Sequence, residues 1–334
     1  MTNGRRLRIA AAVLALVLAG GVWATTRPGD PVLVVIPAGA TLSDVADSLS
    51  AKDVIGSSTL FKAYARLRRA ERRLKSGTYE METGSSYRSA LRRVTRGEMV
   101  TVPLTIPEGF RLDQMAGRIA RIAGVPVERV AAELESEELG ADLDLPGPGL
   151  EGYLFPDTYR FAQGVPLSIV IEAMAARYRR VWTPDRRARL DALGMTEREV
   201  VTLASIVQAE ARRVDEMPRI AGVYHNRLDQ GWLLQADPTV LYALGGYRER
   251  LLYAAIDSVE DSPYNTYARA GLPPGPIGSP GERAIDAALS PEDHDFMYFV
   301  AWPDGTHVFT RSLAEHNVAR ANAVRAREAG RSGS

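Results

Sequence analysis

The segment from Ile9 to Ala24, IAAAVLALVLAGGVWA, carries no charged side chain and is apolar on every face. Such a run has no polar side to offer water, which sets it apart from any surface helix of a globular domain. Its 16 residues fall between a signal-peptide core and the ~20 residues of a full membrane span. Arg5, Arg6 and Arg8 precede it and Trp23 lies near its far end, an order that keeps the positive flank cytoplasmic and sets the indole at the opposite interface. The expectation is a retained single-pass anchor in the cell membrane, with the rest of the chain on the extracytoplasmic side. A cleaved signal peptide is the alternative.

The chain beyond this run is long enough for a real core: the 334 residues as a whole are 46% hydrophobic and 25% charged, ordinary globular values. No Cys occurs, which excludes disulfides, thiolate nucleophiles and Cys-built metal sites. The four His, at 225, 294, 307 and 316, form no i, i+4 pair and no H-E-x-x-H, so no metal centre and no cofactor are expected. The formal charge is zero, but residues 1–100 carry 16 Lys+Arg against 8 Asp+Glu and the remainder 25 against 33. A basic amino-terminal part suits an anionic surface such as a membrane or a wall polymer, although a solvated basic helix face reads the same way. The Arg-rich stretch 66–73 has no aromatic stacking platform beside it, so nucleic acid is not an expected partner.

The pattern predicts a mixed α+β fold. VLVVI (32–36) reads as a strand, TLSDVADSLSAKDVI as a helix capped by Thr41, SSTLFKAYARLRRAERRLK as a second helix and SGTYEM (76–81) as another strand. Strand, helix, helix, strand in this order resembles a LysM-type sugar-binding module, assigned to 31–103 after a cytoplasmic tip, anchor and linker at 1–30. IPAGATLSDVA (36–46) recurs as IPEGFRLDQMA (106–116), with Leu42 and Leu112 in register. Two copies are too few for a solenoid, so they read as two similar strand-helix units, the second opening a larger α+β domain over 104–330. In that domain helices are expected over 113–139, 166–182, 184–193, 218–229, 283–290 and 312–329, a loop over 140–161 and a hairpin around Pro303, Asp304 and Gly305.

Thr196 and Glu199 form a capping box, so a helix starts there and runs through ASIVQAEA. At about 100° per residue Leu203, Ile206, Val207 and Glu210 share one face, from which Gln208 projects away. A carboxyl on an apolar stripe is desolvated and its pKa raised, as a general acid near neutral pH requires. The other reading places Glu210 beyond the core, paired with Arg212 or Arg213. Downstream, LLQADPTVLYALG offers Gln235 and Asp237, and SPYNTYARAGLPPGPIGSPG offers Tyr264, Asn265 and Tyr267 beside a Pro-Gly loop. Aromatics beside amides suit sugar rings, and turn chemistry explains each of them singly.

Taken together, ASIVQAEA, VYHNRL, LQADPTVLYALG, SPYNTYARAGLPPGPIGSPG and YFVAWPDGTHVFTRSLAEHN, with IPEG and EGYLFPDTY upstream, resemble the YceG-like (MltG) family of endolytic peptidoglycan transglycosylases. The resemblance covers essentially the whole chain. It implies that Glu210, which closes A-S-I-V-x-x-E, is catalytic, and that Glu151, Tyr159, Gln235, Asp237, Tyr264, Asn265 and Tyr267 contact the glycan. Many family members carry a Glu where this chain has Gln208. The implied reaction breaks the β-1,4 bond between N-acetylmuramic acid and N-acetylglucosamine within a strand and leaves a 1,6-anhydro end, trimming nascent glycan beside peptidoglycan synthases. A water-using muramidase with Glu210 and Asp237, or a non-catalytic wall-binding division scaffold, remain open alternatives.

Overall fold

The computed structural model describes residues 29–37, 39–246 and 253–332. The expected anchor therefore lies outside the described residues, among which no helix is long and apolar enough to cross a membrane. The fold is mixed α+β, with paired strands confined to two-stranded sheets. The chain divides into two compact units, one up to Pro103 with Arg160–Val165, the other Leu104–Tyr159 with the remainder from Pro166.

In the first unit, β1 (Pro31–Ile36) pairs antiparallel with β2 (Gly77–Glu82), Val34 opposite Tyr79. Alternation puts Val34 and Ile36 inside while Leu33 and Val35 stay more than half exposed. Between the strands lie α1 (Leu42–Ala51), closed by a Thr41–Asp44 capping box, and α2 (Ser58–Leu67), capped by Ser57. After β2, α3 (Tyr87–Arg96) ends at the left-handed Gly97. Val45, Leu49, Phe61, Tyr79, Met81 and Val94 make the core, and full burial of a side chain such as Phe61 stabilises by about 1.5–3 kcal/mol. The second helix, expected to reach residue 75, stops at Leu67. Arg69 turns left-handed at φ +50 and Ala70 folds inward, 3% exposed, because the stretch from 68 to 73 has no apolar stripe to bury as a helix.

The second unit begins within β3 (Val102–Thr105), which pairs with β4 (Thr158–Phe161). The single helix expected over 113–139 is three: α4 (Leu112–Ala123), α5 (Val127–Leu134) and α6 (Glu137–Asp142). Gly124, at φ +69, ends the first, Pro126 precedes the second, and the Ser136 side chain caps the third. Then come α7 (Leu167–Val181), α8 (Pro184–Leu193), α9 (Glu197–Glu210), α10 (Met217–Asp229), α11 (Asp237–Ala243), α12 (Tyr253–Asp257) and α13 (Glu282–Leu289). A hairpin of β5 (Tyr298–Ala301) and β6 (His307–Thr310) and the long α14 (Leu313–Ser332) complete it.

The middle of this unit is α9. Every residue from Val200 to Val207 is buried, so the helix is enclosed on all sides rather than along one stripe as its periodicity suggested. Its first turn, Glu197–Glu199, and its last, from Gln208, emerge. Arg186, itself buried, binds Glu282 and Asp286 at 2.9 and 2.8 Å and thereby ties α8 to the start of α13. The repeated sequence phrase is a repeat of turn geometry: Gly39 and Gly109 both sit left-handed, at φ +76 and +78, and Leu42 and Leu112 open α1 and α4.

Candidate active site

The site is built around the emerging end of α9, where the residues of SIVQAE divide between core, loop support and chemistry. Ile206 and Val207 are core. The Ser205 hydroxyl donates to the Thr202 carbonyl at 2.7 Å and accepts the Ile277 N–H at 3.0 Å. Gln208 Oε1 accepts the Gly281 N–H at 3.0 Å. Two side chains of α9 therefore hold both ends of the 277–281 loop. The loop's other side meets IPEG, where Gly109 donates to the Ser279 carbonyl and Ser279 to the Phe110 carbonyl, at 2.7 and 2.8 Å. Pro276 presses on Gly152 of EGYLFPDTY so closely that a Cβ there would lie 2.4 Å from the proline Cβ, at a backbone φ of +83. Only glycine satisfies both conditions.

Glu210 ends α9, partly exposed. It is not paired with Arg213, which binds Asp215 at 3.0 Å. Its Oε1 instead accepts the hydroxyl of Tyr224 from α10 at 3.1 Å. Burial pushes the Glu210 carboxyl up to about 7, and the negative charge of Asp237 adds to that rise. The Tyr224 hydrogen bond and the Arg227 guanidinium favour the carboxylate and work against it. Arg227, 7% exposed, is locked in place by donating to the Met297 and Leu234 carbonyls.

Opposite lies the start of α11, which the sequence read only as a turn. Asp237 is its first residue, exposed, and its Oδ1 accepts the Tyr267 hydroxyl at 2.5 Å. Gln235 is exposed and held at φ +48, its N–H bonded to the Thr266 carbonyl. The Thr266 hydroxyl takes the Ala236 N–H at 3.0 Å and meets the Thr239 hydroxyl at 2.9 Å, both threonines being buried. Asn265 is 1% exposed and commits its amide to the Ile256 and Val259 carbonyls and the Tyr267 N–H. It shapes the turn that presents Tyr264 and Tyr267 rather than offering polar atoms of its own.

Further along α11, the Tyr242 ring lies 4.8 Å from that of Tyr264, and its hydroxyl reaches Glu151 Oε2 at 3.4 Å. Glu151 is a second carboxyl raised to about 7, again chiefly by burial. Among the described residues its other oxygen is buried without a hydrogen-bond partner. Tyr159, half-buried on β4, donates to the Phe155 carbonyl at 2.5 Å and braces the segment that carries Glu151. Residue types alone did not single out Tyr224, Arg227, Tyr242 or Thr239. The first two lie in VYHNRL, whose spacing on one helix was the available signal. Among the described residues no group of three or more His, Asp or Glu is placed to hold a metal ion.

A sequence profile of the YceG-like family matches residues 34–322. An endolytic murein transglycosylase of Bacillus subtilis is 34% identical over 301 residues, covering 85% of this chain and 82% of that protein. One from Streptococcus pneumoniae is 30% identical over 322 residues, and the match spans 58% of its length. The crystal structure of a yceG-like protein from Listeria monocytogenes superposes with a TM-score of 0.60 at 34% identity, covering 86% of this chain and 99% of that one.

Proposed function

The chain belongs to the YceG-like family, and from that premise we propose that it is an endolytic murein transglycosylase with Glu210 as its acid/base. Protonated Glu210 gives its proton to the N-acetylglucosamine O4 as the bond from that oxygen to C1 of N-acetylmuramic acid breaks. The C6 hydroxyl of the same muramic ring attacks C1, and its proton passes to the Glu210 carboxylate. The products are a new 4-hydroxyl end and a 1,6-anhydro end, with Glu210 again protonated and no water consumed. The observation that carries this reading is the Glu210 carboxyl at the emerging end of α9, raised to about 7 by burial and bonded to Tyr224 rather than to an arginine. A group half protonated at neutral pH serves both transfers. Hydrolysis would ask Asp237, whose Oδ1 accepts the Tyr267 hydroxyl, to act as the second carboxylate, and the oxygen content of the new muramic ends separates the two reactions.

In this reading Gln235, Tyr264, Tyr242 and Glu151 bind the strand on either side of α11. The apolar run at 9–24 anchors the enzyme in the cell membrane near peptidoglycan synthases, with the LysM-like module at 31–103 between the anchor and the second unit. Replacing Glu210 by Gln keeps shape and hydrogen bonding while removing the proton. Cleavage of purified glycan strands should then fall by about a hundred- to ten-thousandfold. Undiminished cleavage would remove Glu210 from the mechanism, and no cleavage by the unaltered chain would favour a binding scaffold.

A further inference from the structure

We propose that the first unit carries a docking surface for anionic phospholipid headgroups, an arginine-lined concavity formed by the end of α2, the turn after it and α3. Arg68, Arg69, Arg73, Arg88, Arg92 and Arg96 line a cavity of about 450 Å³. All six are exposed, and no acidic side chain is among the described residues that line it. Arg96 meets Glu98 only at 3.7 Å, with both groups open to solvent, a contact that screens little. Six like charges around one hollow repel one another and weaken the unit that holds them, so the arrangement makes sense when an anion sits among them. Guanidinium forks match phosphate oxygens two at a time, which suits a headgroup phosphate.

Two further observations favour a lipid surface over a phosphate-bearing wall polymer. Leu67 lies on the wall of the same hollow yet is 80% exposed, and Leu60, two turns earlier on the same face of α2, is 59% exposed. Leucines that protrude beside arginines fit an interface in which apolar tips enter the acyl layer and guanidinium groups stay at the phosphates. A wall polymer gives those leucines nothing to do. The apolar run also ends at Ala24 and β1 starts at Pro31, a separation that even extended chain spans in roughly 25 Å. This last point rests on the apolar run being a membrane anchor.

The chain has no Cys, so Leu67→Cys accepts a single polarity-sensitive dye. The labelled full chain is placed in nanodiscs of phosphatidylcholine, or of phosphatidylcholine with phosphatidylglycerol. The expected result is a blue shift and several-fold shielding from an aqueous quencher in the anionic discs alone. Arginine near an anionic surface favours docking by roughly fivefold per residue, so adding Arg88→Glu with Arg92→Glu should abolish the shielding. Equal shielding in both lipids would overturn the proposal, as would shielding that survives the double reversal. Shielding produced only by soluble poly(glycerol phosphate) over zwitterionic discs would assign the surface to a wall polymer instead. A chain that fails to co-purify with zwitterionic discs refutes the anchor alone, and the lipid dependence of the dye still decides the docking surface.

Discussion

At Glu210 burial lifts the carboxyl toward 7, the Asp237 charge adds to the lift, and the Tyr224 hydroxyl opposes it. Each contribution can be removed separately. If the protonated form starts the reaction, kcat/KM falls as pH rises past about 7. Asp237→Asn, which deletes a repelling charge, should move that falling limb to lower pH, and Tyr224→Phe, which deletes a bond to the carboxylate, should move it higher; shifts in the opposite senses would show that another group governs the limb. The same carboxyl affects stability. Its folded pKa, about 7, lies above the ordinary 4.5, so the folded state holds its proton more tightly and stability declines as pH rises through that window. Glu210→Gln escapes this loss. By thermal melting, it should be more stable than the unaltered chain by on the order of 3 kcal/mol near pH 8 and no more stable near pH 4. Helical phase alone pointed to Glu210 ahead of Gln208, yet its reason was incomplete, because α9 is buried on every side up to Val207. Glu210 matters because the helix surfaces there, a property of the surrounding helices that no local pattern contains.

At the scale of elements, the central relation is between α9 and the 276–281 loop. Sequence singled out the Pro-Gly loop, IPEG, EGYLFPDTY and ASIVQAEA as separate motifs; folding brings them together through Ser205, Gln208, Gly109 and Gly152. Gln208 holds the loop through its carbonyl oxygen, an acceptor that a carboxylate would also supply. Gln208→Glu should retain activity. Gln208→Leu leaves the Gly281 N–H without an acceptor, at a cost of about 1–3 kcal/mol in stability, and should lower kcat more than it changes KM. Equal kinetics for the two variants would mean that the loop is held by other contacts. Elements with strong local signals were legible in advance: the capped α1 and α9, the β1–β2 pair and the β5–β6 hairpin. The breaks were not, because Arg69 in a left-handed turn and three helices over 112–142 depend on which surface each piece finds to bury. The short α11 was hidden for a related reason, since its D-P-T start is equally good turn chemistry.

The whole molecule combines two differently charged parts, with 16 Lys+Arg against 8 Asp+Glu up to residue 100 and 25 against 33 beyond. We propose that the basic part works at the membrane and the second unit on the glycan, so one chain holds its reaction close to where new strands appear. The central claim is chemical: one carboxyl group carries out two proton transfers without water. It is tested most directly by digesting purified glycan strands in water enriched in heavy oxygen and weighing the new muramic ends. The expected ends are lighter by one water than a reducing sugar and free of heavy oxygen, formed by the unaltered chain and not by Glu210→Gln. Muramic ends that carry heavy oxygen would contradict it and assign the cleavage to hydrolysis.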